Sequence, residues 1–151
     1  MTPKDVIAFW SGVGEKKWFA VAPKLDAEIR NRFEPQWRKA RDGKLADWKQ
    51  SAEGTLALLI LLDQFPRNMF RGKAEAFSTD ESARDLARFA LARGYDLAFP
   101  SALRAFFYLP FMHSENLNDQ DLCVKLIAER LGTSSVNHPF SLGHRDTIVR
   151  F

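Results

Sequence analysis

The feature that most constrains the fold is the segment of residues 52–70, AEGTLALLILLDQFPRNMF. Six of the seven residues from Leu56 to Leu62 are leucine or isoleucine. A helix with this sequence is apolar on every face, so other helices must surround it. The apolar stretch is also shorter than the roughly 20 residues that a membrane-spanning helix needs. We therefore expect residues 52–65 to form a buried central helix.

Helix start and stop signals lie on both sides of this segment. An apolar residue recurs every four positions from Leu25 to Trp37, as on one face of a helix. Ser78 and Glu81 have the spacing of a capping box, and Gly94 stands where the helix that follows would end. No segment alternates apolar and polar residues as a strand does. These patterns predict an all-α protein with a single helical domain over residues 1–151.

Pro66 predicts that the central helix stops or kinks, because proline disfavours the α conformation in the residue before it, here Phe65. Polar side chains gather at this position, in the run DQFPRN of residues 63–68. A carboxylate at the C-terminal end of a helix needs a cation or several donors nearby, and Arg67 is the nearest candidate for Asp63. The two residues could tie down a buried helix end or belong to a ligand site. We favour the structural interpretation, because structural ion pairs also gather at buried breaks.

A second polar turn follows Pro110 and contains His113 and Glu115. Two residues apart, these side chains do not share a helix face, which is a poor arrangement for a local metal site. His144 could add a third ligand only through a tertiary contact, so we expect no metal. Asp63, Arg67, His113 and His144 together contain the ingredients of an acid and base site, but sequence spacing alone cannot bring them together.

Composition narrows the functional classes. The net charge is +3, and the basic residues are interspersed with acidic ones, which is typical of a solvated surface rather than a nucleic-acid interface. The single cysteine, Cys123, excludes an internal disulfide and favours a reducing compartment. The N-terminus lacks the layout of a signal peptide. No glycine-rich phosphate loop, nucleophile elbow or CxxC pair is present. We expect a cytoplasmic protein with no membrane association and no cofactor.

Four segments together resemble the bacterial domain of unknown function 924 family: LALLILLDQFPRNMFRG, AFSTD, FFYLPFMHSE and HRDTIVRF. The likeness covers almost the whole chain. It implies a tetratricopeptide-like α/α superhelix, in which antiparallel helix pairs stack into a curved array, and it implies no established activity. Members of the family usually continue into a further motif, GRFPHRN, so the resemblance also implies that this chain lacks the C-terminal continuation. A homodimer that covers the open terminal face is a further expectation.

The leading functional hypothesis is a cytoplasmic binding or interaction module for a peptide, a protein or a small acidic ligand. Its polar groove would be lined by Asp63, Gln64, Arg67, Asn68, Tyr108, His113, Glu115 and His144. The alternative is a small-molecule enzyme, such as a hydrolase, that uses an Asp and His pair from the same cluster. Nucleic-acid binding rests only on a basic patch within residues 30–41 and ranks last.

Overall fold

A computed structural model describes residues 1–135 and 137–150, and every regular element within these ranges is helical. The prediction of an all-α fold is confirmed. The α-helices are α1 (Pro3–Val13), α2 (Glu15–Trp18), α3 (Pro23–Arg41), α4 (Ala52–Leu59), α5 (Phe65–Met69), α6 (Asp80–Ala92), α7 (Ser101–Arg104), α8 (Leu109–Met112), α9 (Leu117–Arg130) and α10 (Asn137–Arg150). A π-helical segment, Ile60–Gln64, joins α4 to α5. Short 3-10 helices span Ala46–Gln50, Ala74–Phe77, Tyr95–Ala98 and Ala105–Phe107. Among the described helices, none combines the length and the apolar character that crossing a bilayer requires.

The central helix lies where the sequence predicts it. Every residue from Gly54 to Pro66 is buried, and α1, α3 and α6 pack around this part of the chain. Gly54 allows the 3-10 helix Ala46–Gln50 to approach closely, because a Cβ atom built on Gly54 would lie 2.0 Å from the carbonyl oxygen of Trp48. The apolar run thus forms the core of the fold, and its C-terminal end delivers polar side chains into a buried environment.

The backbone around Pro66 differs from the expectation. Phe65 has φ −61° and ψ −37°, so the chain stays helical, and the prediction that Pro66 forces this residue out of the α conformation is wrong. The departure from α geometry comes earlier, in the π-helical segment, where the Phe65 N–H donates to the carbonyl of Ile60 five residues back. Pro66 has no N–H to offer the carbonyl of Leu62. The hydroxyl of Thr79 donates to that carbonyl instead, at 2.6 Å.

The start of α6 also differs from the expectation. Thr79 is the N-cap residue and makes no side-chain cap, and the Ser78 hydroxyl donates to the carbonyl of Glu75. The predicted capping box of Ser78 and Glu81 is therefore wrong. The predicted end is confirmed, since Gly94 follows the C-cap residue with a φ of 68°, in the left-handed region.

Helix α10 packs mainly against α9, with fewer contacts to α8. Ser141 is its one buried residue among those described. A cleft separates α10 from α6 and α8.

Candidate functional site

A wide cleft lies between the start of α6, the end of α8 and one face of α10. Its volume is about 960 Å³, within the range of roughly 300 to 1,000 Å³ that is usual for small-molecule sites. The side chains around it are largely polar. They include Arg67, Ser78, Asp80, Glu81, Arg84, His113, Ser114, Glu115, Gln120, His144 and Thr147, with Phe77, Met112 and Ile148 as apolar neighbours.

One residue of the cleft wall, His113, contacts a buried carboxylate behind the wall. The Nδ1 atom of His113 is 2.9 Å from Oδ1 of Asp63, and the Asp63 side chain is only 3% exposed. Asp63 belongs to the π-helical segment, a rare element that is frequent at functional sites. Its second oxygen, Oδ2, is buried and has no hydrogen-bond partner in the described chain. Buried polar atoms are normally satisfied, so this arrangement calls for a functional or structural reason.

Arg67 holds the end of the central helix to α6. Its Nη1 atom donates to the Asp63 carbonyl at 2.8 Å and lies 3.4 Å from the Asp63 carboxylate. Two further bonds, of 2.8 and 3.0 Å, form a bidentate pair with Asp80. The arginine therefore does what the structural interpretation of the sequence expects, and its donors are largely used within the protein.

Electrostatics fix the tautomer of His113. Burial alone would raise the pKa of Asp63, but the charge and hydrogen bond of His113, followed by the charges of Arg67 and Arg84, outweigh burial and lower this pKa. An ionised carboxylate can only accept hydrogen bonds, so the proton of the contact sits on Nδ1 of His113. In the neutral ring Nε2 is then an unprotonated acceptor. Within the described residues, no side chain or backbone group bonds to Nε2.

His144 faces this pair from α10. The centroids of the His113 and His144 rings are 6.3 Å apart in an edge-to-face arrangement. Partial desolvation lowers the pKa of His144, the charges of His113 and Arg67 lower it further, and a backbone hydrogen bond with Met112 acts in the opposite direction. The two imidazoles are therefore close enough to act on one small ligand.

Arg84 is a cation of the cleft without an ion pair among the described residues. It lies one helical turn after Asp80, it is half-buried, and its charge lowers the pKa of Asp63. In residues 1–135 and 137–150 its side chain has no ion-pair or hydrogen-bond partner. The carboxylates of Glu81 and Glu115 are exposed parts of the same cleft. A half-buried guanidinium thus faces a polar cavity with exposed acids around it.

The cleft offers no ready hydroxyl or thiol nucleophile among the described side chains. The Thr147 hydroxyl donates to the carbonyl of Gly143, and the Ser114 hydroxyl donates to Asp119. Ser78 is likewise committed to a backbone carbonyl. Cys123 is buried, and burial raises the pKa of its thiol to about 12, so it is an inert core residue. A nitrogen base is the reactive atom that the cleft presents.

The family model for the bacterial proteins of unknown function named DUF924 matches residues 6–151. The chain belongs to the DUF924 family. It is also similar to a solved structure, that of the protein of unknown function ATU0120 from Agrobacterium tumefaciens, with 40% sequence identity and a TM-score of 0.94. The match covers 99% of this chain and 83% of that one. No curated protein matches the sequence.

The DUF924 chain brings together five of the eight residues proposed from the sequence. Arg67, His113, Glu115 and His144 line the cleft, and Asp63 supports it from behind.

The other three lie elsewhere. Gln64 donates to Asn68, four residues along, at 3.2 Å, and Asn68 donates to Asp26 on α3 at 3.0 Å. Neither residue lines the cleft. The Tyr108 hydroxyl donates to buried Asp96 at 2.5 Å, and Arg130 contacts the same carboxylate oxygen. Burial and the charge of Asp96 raise the pKa of Tyr108.

Sequence reasoning missed Asp80, Glu81 and Arg84. In the sequence these residues occupy the polar face of an amphipathic helix and look like ordinary solvated charges. Asp80 does stand within AFSTD, one of the four segments that carry the resemblance to the DUF924 family. That segment was the available signal for a second wall of the site.

Proposed function

We propose that the cleft binds a small molecule through an anionic group and that Arg84 is the residue that binds this group. The observation that carries the proposal is the half-buried guanidinium of Arg84, which has no ion-pair partner in residues 1–135 and 137–150 and lies beside the Asp63 and His113 pair. A guanidinium presents a planar fork of donors that matches a carboxylate or a phosphate. Arg67 cannot take this part without giving up its bonds to Asp80.

The remaining polar groups set the size and charge of the ligand. Nε2 of His113 and the ring of His144 supply further polar contacts that would orient it. The exposed carboxylates of Glu81 and Glu115 repel extended polyanions. A small ligand with one anionic group therefore fits the cleft better than a nucleic acid does.

Isothermal titration calorimetry with inorganic phosphate, and separately with succinate, tests this proposal. The native protein is expected to bind at least one of these anions, and Arg84→Ala is expected to weaken binding by about tenfold or more, because a hydrogen-bonded charge is lost. Arg38→Ala is the control, since Arg38 is exposed and contacts only Glu34. Binding that survives in Arg84→Ala, or no binding of either anion, would contradict the proposal.

The second candidate function is that of a hydrolase. The specific observation in its favour is the 2.9 Å contact that holds Nδ1 of His113 on a buried carboxylate and leaves Nε2 as a base. A panel of nitrophenyl esters of carboxylic and phosphoric acids would detect turnover. Loss of that turnover in His113→Gln would support the hydrolase, whereas equal rates in both proteins would remove it.

A further inference from the structure

We propose that a phosphomonoester bound in this cleft transfers its phosphoryl group to Nε2 of His113. The inference rests on the proposed anion site, because Arg84 must bind the phosphate before transfer. It adds a substrate class, a reacting atom and a covalent intermediate to that site.

The choice of His113 as nucleophile follows from the groups around it. The hydroxyls of Ser78, Ser114 and Thr147 are each donated to a carbonyl or a carboxylate within the protein. His113 instead has Nδ1 fixed on Asp63, behind the cleft wall, which directs Nε2 away from the core. A lone pair on a positioned imidazole is therefore the reactive electron pair of the cleft.

The charges around His113 suit a phosphoryl intermediate. Phosphorylation of Nε2 with Nδ1 still protonated makes the ring cationic, and the buried carboxylate of Asp63, 2.9 Å away, compensates that charge. The Oδ2 atom of this carboxylate has no hydrogen-bond partner in the described chain, so it can accept a further hydrogen bond. Arg84 would stabilise the charge that spreads over the phosphoryl oxygens.

The proposed hydrolysis has two steps. In the first, Nε2 of His113 forms a bond to phosphorus, the bond from phosphorus to the ester oxygen breaks, and the imidazolium of His144 gives its proton to the departing alcohol. In the second, water attacks phosphorus, neutral His144 takes the proton of this water, and the bond between Nε2 and phosphorus breaks to release inorganic phosphate. His113 keeps its Nδ1 proton on Asp63 throughout.

The test uses p-nitrophenyl phosphate with the intact protein. Release of nitrophenol measures turnover, and mass spectrometry after an alkaline quench locates a phosphoryl group that is stable to alkali and lost in acid. We expect both signals in the native protein, and a loss of turnover by about a hundredfold or more in His113→Gln. His138→Gln is the matched control, because His138 is the third histidine of the chain and does not line the cleft.

His144→Gln sharpens the test. Nitrophenolate leaves without needing a proton, so His113 should still be phosphorylated in this variant, whereas the water-dependent second step loses its base. The phosphorylated form is therefore expected to accumulate. No nitrophenol release by the native protein, release that persists in His113→Gln, or turnover with no phosphoryl group on His113 in either the native protein or His144→Gln would overturn the proposal.

Asp63 has a positioning role in this scheme, and Asp63→Asn tests it. An asparagine can offer its amide to Nδ1 and select the other tautomer. Turnover should then fall with a changed pH profile, while phosphate binding through Arg84 persists. Arg84-dependent phosphate binding without any modification of His113 would leave the anion site standing and remove only phosphoryl transfer.

Discussion

Asp63 is the residue whose ionisation organises the site. Its pKa is lowered from an ordinary value of 3.8 despite its burial, because His113, Arg67 and Arg84 favour the charged form. A carboxylate with a lowered pKa in the folded state stabilises the fold above its ordinary pKa, and this contribution is lost as the pH falls through the lowered value.

Asp63→Asn should therefore differ most from the native protein in unfolding free energy above pH 3.8, and the difference should shrink below that pH. Urea denaturation across the acidic range measures it. Asp85→Asn is the control, because this exposed carboxylate contacts only Arg88, at 3.8 Å, and its loss should cost less than about 0.5 kcal/mol. A constant difference between native protein and Asp63→Asn would argue against the lowered pKa.

Arg67 is the residue whose loss should damage the fold most directly. Arg67→Ala leaves the carboxylates of Asp63 and Asp80 without their guanidinium, and these side chains are only 3% and 13% exposed. We expect a loss of about 2 to 3 kcal/mol in unfolding free energy. This loss is at or below the low end of the range measured when one partner of a buried ion pair is removed, because Arg67 itself is partly exposed. Arg71→Ala removes a more exposed arginine from Asp26 and should cost about 1 kcal/mol or less. Equal losses in the two variants would contradict this account.

For individual residues, the sequence predicted the local contact between Asp63 and Arg67 but not the contacts of these side chains with distant parts of the chain. Asp63 and Arg67 are four residues apart, so a local contact between them follows from helix geometry. Their contacts with His113 and Asp80 join positions 50 and 13 residues apart, and no spacing rule gives those. The sequence did not indicate that Arg84 lies at the cleft, because a lone arginine on a polar helix face has the same pattern whether or not it faces a cleft.

The π-helical segment is the element on which the site depends, and it depends in turn on Thr79. This hydroxyl donates to the carbonyl of Leu62, to which Pro66 has no N–H to donate. It also accepts a hydrogen bond from the indole of Trp37 at 3.2 Å. Thr79→Val should cost about 1 to 3 kcal/mol, because buried polar groups lose their partner.

A double-mutant cycle with Pro66→Ala isolates the cause. Alanine restores an N–H that can serve the carbonyl of Leu62, so Thr79→Val should cost less in the Pro66→Ala background, by about 0.5 kcal/mol or more. Urea denaturation of the four proteins measures this coupling. Additive costs would mean that the hydroxyl does not replace the missing N–H.

Elements bounded by proline and glycine were predictable, and the exceptions have a physical cause. The predicted end of α6 agrees with the structure, because Gly94 acts locally. The π-helical segment was not predictable, since it depends on a hydroxyl supplied from 17 residues further along the chain. The expected capping box fails because Thr79, and not Ser78, is the N-cap residue, and because the Ser78 hydroxyl donates to the carbonyl of Glu75.

In the whole molecule, α10 is the wall of the cleft with the weakest support. It packs mainly against α9, and one residue, Ser141, is buried among those described in it, whereas Gly54 to Pro66 are buried without interruption. Local stability follows buried contacts. Hydrogen exchange followed by mass spectrometry should show faster exchange for peptides of α10 than for peptides of α4. Equal protection would mean that α10 unfolds only with the core.

In the proposed function, Asp63 holds His113 with its proton on Nδ1 and leaves Nε2 open to a ligand bound by Arg84. Nitrogen-15 NMR of the histidine side chains, recorded during a titration with inorganic phosphate, tests it most directly. We predict that Nδ1 of His113 carries the proton of the contact with Asp63, and that the Nε2 resonance of His113 shifts with phosphate in the native protein but not in Arg84→Ala. An unprotonated Nδ1, or a His113 resonance that ignores phosphate, would contradict the account.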